Sequence, residues 1–340
     1  MHPAIFAMAM ATGIVSIAAH LVGLQSVARA FFGLNLVVCP TIWVLTLVRL
    51  ARHRDRVVAD LLHHGRSVGF FTAVAATCVL GTQCLLVGGA VRAAVALWVA
   101  GIVLYAVLTY AIFTLLTVKR EKPALAEGIN GGWLVAVVAA QSVASLGALL
   151  APRFAENGQY ALFFSLAMWL GGGMLYIWII GLIFYRYTFF PMAPADLAPP
   201  YWVNMGAAAI SALAGATLVS AEAYSPVLRQ VLPFVRGLTV LWWATATWWL
   251  PMLVILALWR HGYRKFPLRY DALYWGAVFP LGMYTAATAR LSKALDAPYL
   301  MAIPRVFVYV ALSAWALTMF GLLIRLVSLT RGGRSRAPAQ

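Results

Sequence analysis

The sequence predicts an all-α integral membrane protein of ten transmembrane helices paired as five helical hairpins, on three observations. Of its 340 residues, 64% are hydrophobic and 10% charged, against about 45–50% and about 25% in an ordinary soluble chain. Apolar runs of about 20 residues, the length that crosses the hydrocarbon of a bilayer, follow one another along the whole chain. The basic residues, net charge +16, fall in short clusters between those runs, as they do where loops meet anionic headgroups rather than nucleic acid. A water-soluble globule is excluded, and so is a transmembrane barrel, which needs short alternating segments. Cys39, Cys78 and Cys84 each lie in an apolar stretch and make no disulfide framework.

The runs justify themselves in order. The first, 4–24, resembles a signal peptide because Ala28-Arg29-Ala30 follows it. It lacks a basic region ahead of it and is too long, so it reads as an uncleaved helix. The second, 30–50, leads into a basic loop holding Arg52, Arg54, Arg56 and Arg66, and the third covers 68–90. Lys119, Arg120 and Lys122 close the fourth, 93–117, and Arg186 follows the pair 131–151 and 159–185. The pair 201–221 and 231–259 precedes Arg260, Arg264, Lys265 and Arg269, and the last two runs are 272–293 and 297–327. The longest connections, 51–67 and 186–200, are too short to fold alone. Residues 1–330 therefore read as one ten-helix domain, and 331–340 as a short basic cytoplasmic tail. Most of the 25 lysines and arginines lie on the side of the N-terminus. The positive-inside rule then puts both termini in the cytoplasm, and the expected location is the plasma (bacterial inner) membrane.

A repeat of about 65 residues is visible in the odd runs. Phe6 pairs with Phe71 and Thr12 with Thr77, within Ala11-Thr12-Gly13 and Ala76-Thr77-Cys78. Ten of the 13 tryptophans lie in even runs, while Trp133, Trp202 and Trp275 stand only where odd runs begin. Odd runs are rich in Gly, Ala, Ser and Thr, which permit close backbone approach or leave a lumen unfilled. The segregation predicts an inner pore ring of odd helices inside an outer ring of bulky even ones.

The ionisable groups narrow the function. All nine carboxylates fall in loops or at the ends of runs, so the intramembrane acid that proton- or cation-coupled carriers use is missing. Arg290 and Arg305 instead lie within apolar sequence, either attracting anions in a hydrated pathway or snorkelling to the outer interface. Only His20 of the six histidines is in a run, which leaves no haem pair or metal-ligand set. No phosphate-cradling loop is present, since Gly171-Gly172-Gly173 lies inside an apolar helix. The expectation is a transporter or channel rather than an enzyme, without cofactor or metal. Pore-lining candidates are Thr12, Gly13, Ser16, Thr77, Gly81, Gln141, Ser145, Asn204, Ser211 and Thr285. Pro280 predicts a kink in the ninth helix. Phe279 and Arg290, eleven residues apart, share one helical face about 16 Å apart.

Three segments carry a family resemblance: Phe6-Ala7-Met8-Ala9-Met10-Ala11-Thr12-Gly13-Ile14-Val15-Ser16, then Pro200-Tyr201-Trp202-Val203-Asn204-Met205-Gly206-Ala207, and Phe279-Pro280-Leu281-Gly282. In this order they resemble the tellurite-resistance/dicarboxylate transporter family, which includes plant slow anion channels, yeast malate permeases and fungal sulfite efflux proteins. The resemblance implies a homotrimer in which each protomer has its own pore, lined by the five odd helices. It also implies a phenylalanine gate on the ninth helix, which by motif falls on Phe279. The expected substrate is a small inorganic anion or a C4-dicarboxylate. A proton-coupled exporter of sulfite, dicarboxylate or tellurite-type oxyanions stays open beside the channel, as does a scaffold that transports nothing.

Overall fold

In hydrocarbon no water is present to bond exposed N–H and C=O groups, so a single apolar run satisfies its backbone by becoming a helix. The computed structural model, which describes residues 2–334, shows ten long helices. They are α1 (Ala7–Leu21), α2 (Gln25–Arg52), α3 (Phe71–Leu86), α4 (Val91–Val118) and α5 (Val135–Leu150). The second half has α6 (Gly158–Phe189), α7 (Val203–Ser220), α8 (Leu232–Leu258), α9 (Trp275–Ala294) and α10 (Ala302–Arg334). Residues 331–334 of the expected tail prolong α10, and 335–340 lie outside the described residues. Gly23 (φ 92°) and Gly89 (φ 66°) take the left-handed conformation in the tight turns after α1 and α3, which glycine adopts without a Cβ clash.

Odd and even helices differ in length for a physical reason. The odd ones span 15 to 20 residues, the even ones 27 to 33. In the apolar stretches of α1, α3, α5 and α7, 72–94% of residues are buried, against 11–39% in those of the even helices. The covered helices meet protein rather than lipid, so they need not match the bilayer thickness alone. Among the described residues nine helical stretches are long and apolar enough to cross a membrane, where ten were expected. The exception is α9, which carries Arg290, Lys293 and several hydroxyl residues and is buried along most of its length.

Contacts between helices close a ring. Helix α1 packs on α3, α3 on α5, α5 on α7, α7 on α9, and α9 returns to α1. Each even helix packs on the odd helix before it in the chain and also touches the odd helix after it; α10 reaches round to α1. Indole N–H groups tie those second contacts: Trp98 donates to Val143 O at 3.0 Å and Trp169 to Ser211 O at 2.8 Å. Trp243 donates to Thr288 Oγ1 at 3.0 Å, and Trp315 closes the circle on Thr12 Oγ1 at 3.0 Å. From α2 the bond runs from Asn35 Nδ2 to Gln83 Oε1 at 2.6 Å. In an apolar medium such bonds and close van der Waals packing hold helices together, because lipid offers no hydrophobic drive between them. The outward faces of the even helices expose large apolar residues such as Val107, Ile177, Ile255 and Phe320, as lipid contact requires.

The loop between α2 and α3 is organised by one acid. Asp60, 5% exposed, pairs with Arg49 at the end of α2 and, at 2.8 Å, with Arg66 Nε. Removing one partner of a buried pair leaves an uncompensated charge, at about 3–5 kcal/mol. Arg66 is 42% exposed and water screens it, so the burden falls on Arg49. Asp60→Asn is expected to lower stability by about 3 kcal/mol, read by SDS titration of the folded protein; a change under about 1 kcal/mol would mean that the pair is a solvated surface contact.

Candidate functional site

A short 3-10 turn precedes each odd helix: Pro3–Phe6, Val68–Phe70, Gly131–Leu134, Pro199–Trp202 and Ala272–Tyr274. Each touches the next, and the last touches the first, so the five turns form a closed rim around one end of the ring. The local sequence explains them. His2 Nδ1 accepts from Ala4 N–H at 3.1 Å, Asn130 Oδ1 from Gly132 N–H at 2.8 Å, and Asp271 Oδ1 from Leu273 N–H at 2.9 Å. Such side chains cap N–H groups that have no partner inside a helix. Pro3 and Pro199 begin their turns with no N–H to satisfy. Burial, reinforced by the positive charge of Arg66, holds the His2 imidazole below its usual value, which leaves Nδ1 free to accept. Thr72 Oγ1 stitches neighbouring turns together, lying 2.7 Å from Gly69 O and 3.4 Å from Pro3 O.

Inside the rim lies a cavity of about 440 Å³ to which all five odd helices contribute. Its lining includes Met10, Thr72, Val138, Val203 and Phe279, one from each. All five helices point their N-termini at this space, each carrying about half a positive charge, an arrangement suited to anions. Arg186, 7% exposed at the end of α6, joins the lining. Its Nη1 donates to Ile129 O at 3.3 Å and to the Tyr201 hydroxyl, and Nη2 is 3.9 Å from Asp196 Oδ1. Its Nε has no hydrogen-bond partner. Two carboxylates also reach the lining, Glu127 from an exposed position and Asp196 from a half-buried one.

Phe279 borders the cavity. It is the fifth residue of α9, is 1% exposed, and ranks among the largest fully buried side chains. Pro280 beside it is seated on α7, where a Cβ on Gly206 would lie 2.8 Å from Pro280 Cγ. Because Pro280 has no N–H, the Gly276 carbonyl is left without its helical donor; Gly276 lines the cavity, where water can reach it. Helix α9 runs through this point as one element from Trp275 to Ala294.

A family model described as voltage-dependent anion channel matches residues 1–323. The chain belongs to this anion-channel family. Among its relatives, a membrane protein of Mycobacterium tuberculosis named as uncharacterized is 41% identical over 162 residues, covering 47% of this chain and 82% of its own length. A Methanocaldococcus jannaschii protein named as an uncharacterized transporter is 24% identical over 86% of this chain and 83% of its own. A sulfite efflux pump of Trichophyton rubrum is 25% identical over 93% of this chain and 88% of its own. Anion transport is therefore the functional class, and the three motifs led to the right family.

For an anion-channel family member, the placement of the other candidates is informative. None of the ten lining candidates borders the mouth cavity. Gly13 and Gly81 each sit at a close approach between helices: a Cβ on Gly13 would run into Val79 of α3 and lie 2.9 Å from Asn35 Nδ2 of α2, and one on Gly81 would lie 2.6 Å from Leu146 Cδ2 of α5 and 3.2 Å from Leu97 Cβ of α4. Ser16 donates to Ala28 O on α2 at 2.7 Å, and Gln141 Nε2 to Trp169 O on α6 at 3.0 Å. Asn204 Nδ2 reaches the Tyr187 hydroxyl of α6 at 3.2 Å. Thr12, Thr77, Ser211 and Thr285 each bond the carbonyl four residues back at 2.8–2.9 Å, and Ser145 is buried. Arg290 lies partly buried towards the other end of α9, with no ion-pair or hydrogen-bond partner among the described residues. Arg305 is exposed on the outer surface of α10, beside Val306 and Tyr309. The two arginines thus occupy different surfaces. Sequence reasoning counted Arg186 only as a loop charge; nothing in its local pattern says that it turns under the rim.

Proposed function

We propose that this protein is an anion channel or facilitative transporter, carrying small inorganic anions or C4-dicarboxylates through the interior of the five-helix ring, with Phe279 as the gate. One observation carries the reading: the mouth, where five helix N-termini and Arg186 converge, has the fully buried Phe279 in its lining. An apolar ring across a narrow passage excludes water and blocks ions without any moving domain. In this reading α9 also crosses the membrane and completes the ten spans, its polar residues covered by protein rather than lipid. The rim faces the cytoplasm because Arg66, Lys119, Arg260 and Arg264 surround that end. Arg290, on the gate helix, attracts anions at the far side. A homotrimer in the plasma membrane, each protomer one domain with its own pore, completes the proposal. Proton-coupled export is the second reading, favoured by the relative named a sulfite efflux pump.

Flux in liposomes decides between them. Chloride, nitrate, sulfite and malate are offered with and without a pH gradient, and reversal potentials are read under a salt gradient. A potential that follows the anion, with flux indifferent to the proton gradient, supports the channel; proton-dependent flux supports the exporter; a cation-following potential or no flux sinks both. Removing a focused charge slows capture of its counter-ion, so Arg186→Gln is expected to lower anion flux about tenfold, with Arg186→Lys recovering part of it. Unchanged flux in Arg186→Gln would make this residue a brace for Ile129 and Tyr201 only.

A further inference from the structure

A second cavity, about 470 Å³, opens beside the rim between α8 and α10. Leu253 and Ala257 of α8 face Ala314 and Leu317 of α10 across it, and Val278 and Leu281 of α9 form its floor. These walls are apolar, and Leu317 and Leu258 beside them are exposed on the lipid-facing surface. The end nearest the rim is different: Arg260, His261 and Arg269 line it, and no carboxylate does. Arg260 is 8% exposed, its Nη1 donates to Leu197 O at 2.6 Å, and its guanidinium carbon lies 4.5 Å from the centre of the Phe266 ring. Its Nε, however, has no hydrogen-bond partner. An unfilled donor on a buried cation costs free energy unless an acceptor fills it. The helix also widens here into a π turn, Trp259–Tyr263, a feature concentrated at functional sites.

An apolar slot open to the bilayer, ending in buried and exposed cations at the headgroup level, has the chemistry of a lipid site. We infer that it holds one anionic phospholipid, its phosphate on Arg260 and Arg269 and one acyl chain lying between α8 and α10 against the back of α9. A free anion would use the cations but leave the slot without a purpose. The charge complementarity and the lipid-facing opening both select the membrane lipid.

The test uses the full-length protein in mild detergent, with native mass spectrometry after incubation with phosphatidylglycerol or phosphatidylcholine. Wild type is expected to retain one phosphatidylglycerol and to discriminate against phosphatidylcholine. Exposed Arg269 contributes as a headgroup cation does, so Arg269→Gln is expected to weaken retention about fivefold. Ala257→Trp fills the slot and should abolish retention; Ala314→Trp does the same from the opposite wall should the first variant fail to fold. Equal retention of phosphatidylcholine, or undiminished retention in a folded tryptophan variant, would overturn the inference. Displacement of the lipid by millimolar inorganic phosphate would overturn it too, by showing that the cations bind an anion alone. Binding is read without flux, so the result is independent of the pore reading.

Discussion

Phe279→Ala is expected to raise anion flux in liposomes at least about tenfold, which corresponds to removing about 1.4 kcal/mol from the barrier. Phe279 is 1% exposed and lies in the lining of the mouth, to which every odd helix contributes. Its replacement joins the mouth to whatever space lies beyond. Phe→Ala in a close-packed core costs about 3–5 kcal/mol. At 1% exposed the ring is packed on nearly every side, so that cost applies here in full. Folding is therefore checked alongside, by elution of the variant on size exclusion and by SDS titration. A folded, inserted Phe279→Ala protein that conducts no more than wild type would show that Phe279 packs the ring and that the gate lies elsewhere. Phe279→Leu should give intermediate flux, since a smaller apolar group still repels water.

The rim should break most readily at Gly131. A Cβ there would lie 2.6 Å from Tyr201 Cα and 2.7 Å from the Pro200 carbonyl carbon, and backbone atoms cannot rotate out of the way as a side chain can. Gly131→Ala must then push the third turn of the rim away from the fourth. Overpacking typically costs about 1–3 kcal/mol, and a clash with rigid backbone belongs at the top of that range or above. We expect a loss of about 3 kcal/mol in SDS titration, together with altered flux. Gly171→Ala is the control: nothing lies within 4 Å of its Cβ, and alanine is the better helix former by about 1 kcal/mol. If the two variants behave alike, the third and fourth turns are not in rigid contact.

The prolines and caps that shape this rim are local signals. Asn130 and Asp271 before the turns, Pro3 and Pro199 within them, and Trp133, Trp202 and Trp275 at their edges can all be read in one dimension. The closure of the five turns into a circle cannot. It depends on which turn touches which, and Thr72 reaching towards Pro3 across 69 residues illustrates the distance involved.

The sequence by itself determined the class of protein, because the hydrocarbon admits only backbones that satisfy themselves and the chain has the length and composition for that. Its split between small-residue and bulky runs also tracks burial, the odd stretches being mostly covered by protein and the even ones mostly exposed, because small residues let backbones pack closely. Three short motifs determined the family. Tertiary structure alone decided the faces. Ser16, Gln141 and Asn204 turn towards outer helices, because each found a bonding partner there and none is left to the mouth cavity. Arg305 lies on the lipid side although Arg290 does not, a difference that composition and hydropathy could not register. Arg186 reaches the mouth through contacts with Ile129 and Tyr201, which are 57 and 15 residues away. A polar group in a helix can face protein, lumen or lipid with the same local sequence around it, and only the packing of the whole ring selects among the three.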